Sequence, residues 1–276
     1  MSLLSPETLS VFIAPTELVA VRWRGTFGMR PQIVEKRIAQ VDVKSGNSWE
    51  AAAQTFAGLL REFSSCRRVR VVLSSHFTQY QLLPWRDDLN DFDEELAVAR
   101  LAFTQTYGEA AAHWDVRLSD EAPGLARVAA AVDADLLTAL QQAAKASKAR
   151  LDSIEPSLTA TVNHWHSLFD RAHTAWLVVH EEGRICVALI EQGRWRWVRN
   201  LRTGVDWAES LPTLLDNELL LAGIDNLSAQ ALIFSPATPD LAVPANSPWS
   251  FRSLRLEASA NFSPVTDGRF GFALVG

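Results

Sequence analysis

The chain has 276 residues, 48% of them hydrophobic and 21% charged, enough for one large core or two moderate ones. Its formal charge of -6 leaves no basic surplus to neutralise phosphates, which argues against nonspecific nucleic-acid binding. Cys66 and Cys186 make neither a disulfide framework nor a metal-ligand spacing, so a reduced, cytoplasmic setting is expected. The start, MSLLSPETLS, lacks the basic and apolar regions of a secretory signal. No run of about 18 apolar residues occurs to span a membrane.

In chain order, Val11 to Ala14, the turn Pro15-Thr16-Glu17, Leu18 to Trp23 and Val34 to Val43 read as a three-stranded meander. Ser48 is a candidate N-cap for a helix from Trp49 to Phe63, whose Ala52, Phe56, Leu59, Leu60 and Phe63 share one face. Val69 to Leu73 is a short buried strand ending at Ser74-Ser75-His76. Phe77 to Leu83 alternates and is closed by Pro84. Asp93 to Tyr107 has an acidic first turn and a glycine stop at Gly108, a helix with both ends marked. His113 to Leu118 and Leu125 to Val132 read as strands, Asp133 to Ala149 as a helix and Arg150 to Ile154 as a strand. Strand-helix-strand-strand-helix-strand is the ferredoxin-like order.

A helix from Leu158 to Arg171 then leads into a second meander: Trp176 to Val179, Ile185 to Ile190 and Trp195 to Leu201. Its turns are Glu181-Glu182-Gly183 and Gln192-Gly193. A helix from Asp206 to Ala222, a strand from Ala231 to Phe234, a proline-rich loop from Pro236 to Pro248 and a strand from Ser253 to Leu256 follow. The tail Phe270 to Leu274 reads equally as a strand edge, a docking segment or a disordered end. Two copies of meander-then-helix imply two related lobes, 1–76 and 156–276, with an αβ subdomain at 77–155 inserted between them.

Arginine flanks tryptophan in Arg22-Trp23-Arg24 and Arg194-Trp195-Arg196-Trp197. Alternation puts the rings on one face and arginine outward, a simpler reading than a cation–π ligand platform. Catalytic patterns are thin. Glu181-Glu182 has the composition of an acid/base pair, but adjacent turn carboxylates are usually solvated. His164-x-His166 beside His173 has a metal-like look, yet alternate helix positions point about 200° apart. Ser74-Ser75-His76 lacks a nucleophile elbow.

The run VRVVLSSHFTQYQLLPW, the acidic helix DEELAVARLAF, then ARVAAAVDADLLTALQQAAKAS and RLDSIEPSLTATVN resemble the PilM family of type IV pilus assembly proteins. They also resemble the cytoplasmic part of the GspL family of type II secretion. GspL proteins continue into a transmembrane helix where this sequence stops, which favours the PilM side. The resemblance implies an actin-like α/β fold: two ribonuclease-H-like lobes with a small ferredoxin-like subdomain inserted in the first. It also raises the question of a nucleotide, because active relatives hold ATP on glycine-rich turns with an aspartate beside each.

Here the first turn carries Ala14, Pro15 and Thr16, with neither glycine nor aspartate. The second carries Glu181, Glu182 and Gly183, an acidic pair that repels phosphate. The adenosine loop reads Phe234-Ser235-Pro236-Ala237. The sequence is therefore expected to be a degenerate actin-like ATPase with no cofactor. By resemblance it is a non-catalytic cytoplasmic scaffold that binds the N-terminal cytoplasmic segment of a single-pass inner-membrane protein of the PilN kind. An assembly ATPase is a further implied partner. Tyr80, Leu82, Trp85, Asp93, Leu96, Arg100 and Phe103 are expected to flank the groove for that segment. The acidic run from Asp87 to Glu95 either attracts a basic peptide or starts a helix. The alternative is a working ATPase using Thr16, Ser235 and backbone groups. A kinase-like enzyme would need Asp206, which a helix N-cap role explains more simply.

Overall fold

The computed structural model describes residues 7–25, 32–42, 48–89, 91–169, 174–224, 230–238 and 247–276. They form two compact units, one of Met1–Thr78, Val132–His164 and Leu256–Gly276, the other of Gln79–Ala131 and Trp165–Arg255.

The first unit is built on a five-stranded sheet. Strands β1 (Glu7–Ile13), β2 (Glu17–Arg24) and β3 (Gln32–Gln40) make the expected antiparallel meander, and β4 (Arg68–Leu73) adds in parallel to β1. Helix α1 (Ser48–Glu62) supplies the crossover and buries Ala52, Phe56, Leu59 and Leu60 against Leu9, Val11 and Ile13. Pleating then turns Ser10 and Phe12 to the other face.

The inserted segment opens with β5 (Thr78–Leu83), α2 (Phe92–Tyr107) and β6 (Trp114–Leu118), and returns through β7 (Arg127–Asp133). Its sheet has three strands in the order β5-β7-β6. Asp91 caps α2, its carboxylate accepting the Glu94 N–H at 3.0 Å, and Gly108 at φ 68° stops it. The helix packs Ala99 and Phe103 on Val116, Ala129 and Ala131.

The boundaries differ here from the sequence expectation. Helix α3 (Ala134–Ala146) and strand β8 (Arg150–Pro156) do not complete a four-stranded ferredoxin-like sheet. β8 pairs in parallel with β4 and closes the order β3-β2-β1-β4-β8, while Leu136, Leu140 and Ala144 of α3 join the α1 core. The cause is the apolar stripe of α3, which has a larger apolar surface to cover beside α1 than beside the small inserted sheet.

The expected helix from Leu158 to Arg171 ends earlier: α4 runs Ser157–His164, a 3₁₀ turn follows at His166–Phe169, and residues 170–173, with His173, lie outside the described residues. The tail is a docking segment rather than a strand. Helix α6 (Gly271–Val275) stacks Phe272 on Phe12 at 4.7 Å and so belongs with the first unit, not with the second lobe.

In the second unit, β9 (Thr174–Glu181), β10 (Arg184–Glu191) and β11 (Arg194–Arg202) form the second meander. Helix α5 (Trp207–Leu221) leads to β12 (Gln230–Phe234), parallel to β9, and to β13 (Ser250–Ser253), three residues ahead of its expected place. The order β11-β10-β9-β12-β13 repeats that of the first sheet. Leu211 and Leu215 of α5 cover Trp176, Val178, Ile185, Val187 and Leu189. Between β10 and β11, Gln192 and Gly193 take positive φ of 53° and 77°, the mirror-image turn that suits right-twisted strands.

Candidate functional site

In the first unit the β1–β2 turn consists of Ala14, Pro15 and Thr16, closed by the Ala14 N–H donating to the Glu17 carbonyl at 3.0 Å. None of the three takes positive φ, so the backbone forms no concave nest of N–H groups for an anion. Pro15 has no N–H to offer. The Glu17 carboxylate next to the turn pairs with Arg269, so the two together add no net charge there. At the end of β4, Ser74 and Ser75 are fully buried, and the Ser75 hydroxyl lies 3.0 Å from that of Ser157. That contact ties the end of β4 to the start of α4.

The corresponding turn of the second unit joins β9 to β10. Gly183 at φ 75° supplies the left-handed position of that turn. Glu181 is buried and Glu182 exposed. Ser235 follows β12 and is buried; its hydroxyl lies 3.0 Å from His180 Nδ1 and 2.6 Å from the Thr238 hydroxyl. The His180 ring stacks on Trp207 at 3.8 Å with 15° between planes. Burial lowers the imidazole pKa to about 4, so the ring is neutral at physiological pH and presents no cation to a phosphate. Sequence reasoning does not single out His180 or pair it with Ser235, 55 residues away. Their one sequence signal is that each sits at or beside the C-terminal end of a parallel strand.

The residues expected to flank a partner groove divide into two groups. Phe103 is fully buried in the interior of the inserted segment, where Leu96 packs against the same core, and Tyr80 is buried too, at 5% exposure. Phe103 and Leu96 hold the segment together, and neither Phe103 nor Tyr80 is a surface anchor, because alternation fixes which residues share a face but not which face is covered. Asp93 and Arg100 are exposed on α2, and Leu82 is half-buried on β5. Trp85 does line a depression, with Leu83, Pro84, Leu89, Val98 and Leu118. The Glu95–Arg127 ion pair, 2.8 Å, sits at its margin.

The acidic run is largely used within the segment. Asp87 accepts the Trp85 indole N–H at 2.7 Å, Asp88 holds Arg86 at 2.9 Å, Asp91 caps α2 and Glu95 pairs with Arg127. That distribution fits a helix start and a fixed loop better than a free acidic lure. A larger cavity of about 330 Å³, which the sequence does not announce, lies in the first unit. It is lined by Ser10, Trp23, Ile33, Arg70, Phe262 and Ala273, with the Arg70 guanidinium 5.5 Å from the centre of the Trp23 ring.

The fold is that of the actin-like ATPases. A solved structure described as a PilM–PilN type IV pilus biogenesis complex superposes with a TM-score of 0.71 at 12% identity, covering 98% of this chain and 97% of that one. The cytoplasmic domain of EpsL, an inner-membrane component of the Vibrio cholerae type II secretion system, gives 0.58 at 13% identity, with 98% and 95% covered. A Bacteroides thetaiotaomicron protein of actin-like ATPase fold and unknown function gives 0.57 at 12% identity, with 84% and 82% covered. No family profile matches the sequence, and no curated protein matches it. Among the described residues, no helix is long and apolar enough to cross a membrane.

Proposed function

We propose that this protein is a non-catalytic, actin-like scaffold at the cytoplasmic face of an inner-membrane assembly platform of the type IV pilus or type II secretion kind. It binds the short cytoplasmic segment of a single-pass membrane protein. The observation that carries the reading is the chemistry of the two hairpin turns. A triphosphate needs bare backbone N–H groups and a metal-holding carboxylate. One turn instead has a proline, and the other has two glutamates and a neutral imidazole next to it. The likeness in fold to a protein described in complex with PilN supports the choice of partner.

The depression beside Trp85 is the site proposed for that segment. Leu83, Leu89, Val98 and Leu118 offer apolar contact, and β5 is a terminal strand of its sheet that can take main-chain hydrogen bonds from an extended peptide. The test is calorimetric titration with the N-terminal cytoplasmic peptide of a small bitopic protein encoded beside this one. Micromolar binding is expected, and Trp85→Ala should weaken it about tenfold or more, as for a central aromatic anchor. Absence of binding at tens of micromolar, or equal binding by the variant, counts against the site.

A further inference from the structure

β11 is the terminal strand of the second sheet, and no described strand pairs with its outer side. Such an edge presents a row of backbone N–H and C=O groups to any strand that can approach. Along it stand Arg194, Arg196, Arg199 and Arg202, and Arg184 of β10 lies directly opposite Arg202. Arg196 is answered by Glu191 at 3.2 Å and Arg199 by Glu218 at 3.4 Å. Arg184, Arg194 and Arg202 form no salt bridge with any described residue, although Glu181 contributes some offsetting field at Arg184. Like charges facing each other across a ladder are unfavourable. Burial first, and then Arg202, pull the Arg184 pKa down.

The terminal strand β3 of the other sheet is handled differently. Glu35 holds Arg22 at 2.8 Å, Lys36 holds Asp267 at 2.6 Å and Arg37 holds Glu62 at 3.5 Å. Asn261 also donates to the Ile33 carbonyl at 2.6 Å. That edge is neutralised and partly covered from within, whereas β11 keeps a net positive charge in a chain of formal charge -6.

The tryptophans of the same strand choose between two kinds of partner. The Trp197 indole donates to Glu218 at 2.7 Å, and the Trp195 side chain is hydrogen-bonded to Glu121. Both indoles are engaged by the protein's own carboxylates, so they are not set to enter a lipid interface. What remains open is the pairing edge and its unanswered arginines.

We infer that the outer edge of β11 docks an acidic, extended segment of another protein, which adds a strand and seats a carboxylate between Arg184 and Arg202. The site is distinct in residues from the depression beside Trp85. The probes are fluorescein-labelled eight-residue peptides alternating glutamate with valine or threonine, followed by anisotropy on the full chain. Saturable binding is expected, weaker at high salt. Combined Arg184→Ser and Arg202→Glu should reduce affinity about tenfold or more. N-methylation of alternate amides should abolish binding, because it keeps the charge and removes the main-chain donors. Both substituted positions lie at the rim of the sheet, and unchanged circular dichroism verifies the fold. Failure of every acidic peptide, equal binding of lysine-for-glutamate or N-methylated peptides, or Arg202-dependent capture of phosphatidylglycerol vesicles without peptide binding overturns the proposal.

Discussion

The two sheets share one strand order and little else. The first ties its rim with ion pairs: Glu7 to Arg22 and Arg24, and Lys36 to Asp267. The second adds to its ion pairs Arg196–Glu191 and Arg199–Glu218 a set of ring contacts, with His180 stacked on Trp207 and Glu218 accepting the Trp197 indole. Buried strand runs therefore define this architecture, since Val71–Leu73 of β4 and Leu232–Phe234 of β12 fill equivalent positions with different apolar residues. Turn chemistry differs between the halves, Ala14-Pro15-Thr16 in one and Glu181-Glu182-Gly183 in the other. Substitution and pH should separate the two halves, beginning with the largest effect.

Phe56→Ala and Phe103→Ala each empty a fully buried site and should cost about 3–5 kcal/mol in urea unfolding. Hydrogen exchange should distinguish them. The first should expose amides of β1 and β4, and the second those of the inserted segment, leaving β1 protected. Equal deprotection in both variants would break the separation.

Acid should reach the second unit first. His180 is held near pKa 4 in the folded protein against about 6.5 when unfolded. Its folded pKa is lowered, so the unfolded chain takes up the proton first. The neutral ring's contribution is complete above pH 6.5 and is lost as pH falls to about 4, by up to about 3 kcal/mol. His180→Phe should flatten that slope of stability against pH. The carboxylates of the first unit act lower. Arg24 holds the Glu7 pKa below its ordinary value, and Lys36 does the same for Asp267. Their contributions persist above the ordinary carboxylate range and fade only as pH falls through their lowered values. Melting curves from pH 7 to 3 measure both windows.

Glu218→Ala leaves the Trp197 N–H without its acceptor and should cost about 1–3 kcal/mol. Thermal melts check this against Glu35→Ala on the other rim, half-exposed and expected to cost about 0–1 kcal/mol.

Much of this fold is legible in the sequence. Alternation and turn residues locate both meanders, and the apolar spacing of Phe56, Leu59 and Phe63 locates α1. Periodicity, however, names a face and not its partner. That is why the sequence places α3 and β8 in the inserted segment, and why Phe103 and Tyr80 read as groove residues although they are core. The turns are the most readable part of the site, because the presence of Pro15 and the lack of glycine are visible without coordinates. The His180–Ser235 contact is not readable, since it depends on β9 and β12 being neighbours in parallel. The tail stays undecided in the sequence because Phe270 to Leu274 is apolar in any conformation, and only the stack on Phe12 selects the helix.

The decisive measurement is the melting temperature of the purified protein with and without millimolar magnesium-ATP. A ligand at a hundred times its Kd adds about 2.7 kcal/mol to the folded state, which raises the midpoint by several degrees. A scaffold whose turns no longer hold phosphate should show no rise beyond that produced by magnesium alone. A saturable, ATP-specific increase that is lost when Gly183 is replaced by valine would contradict it.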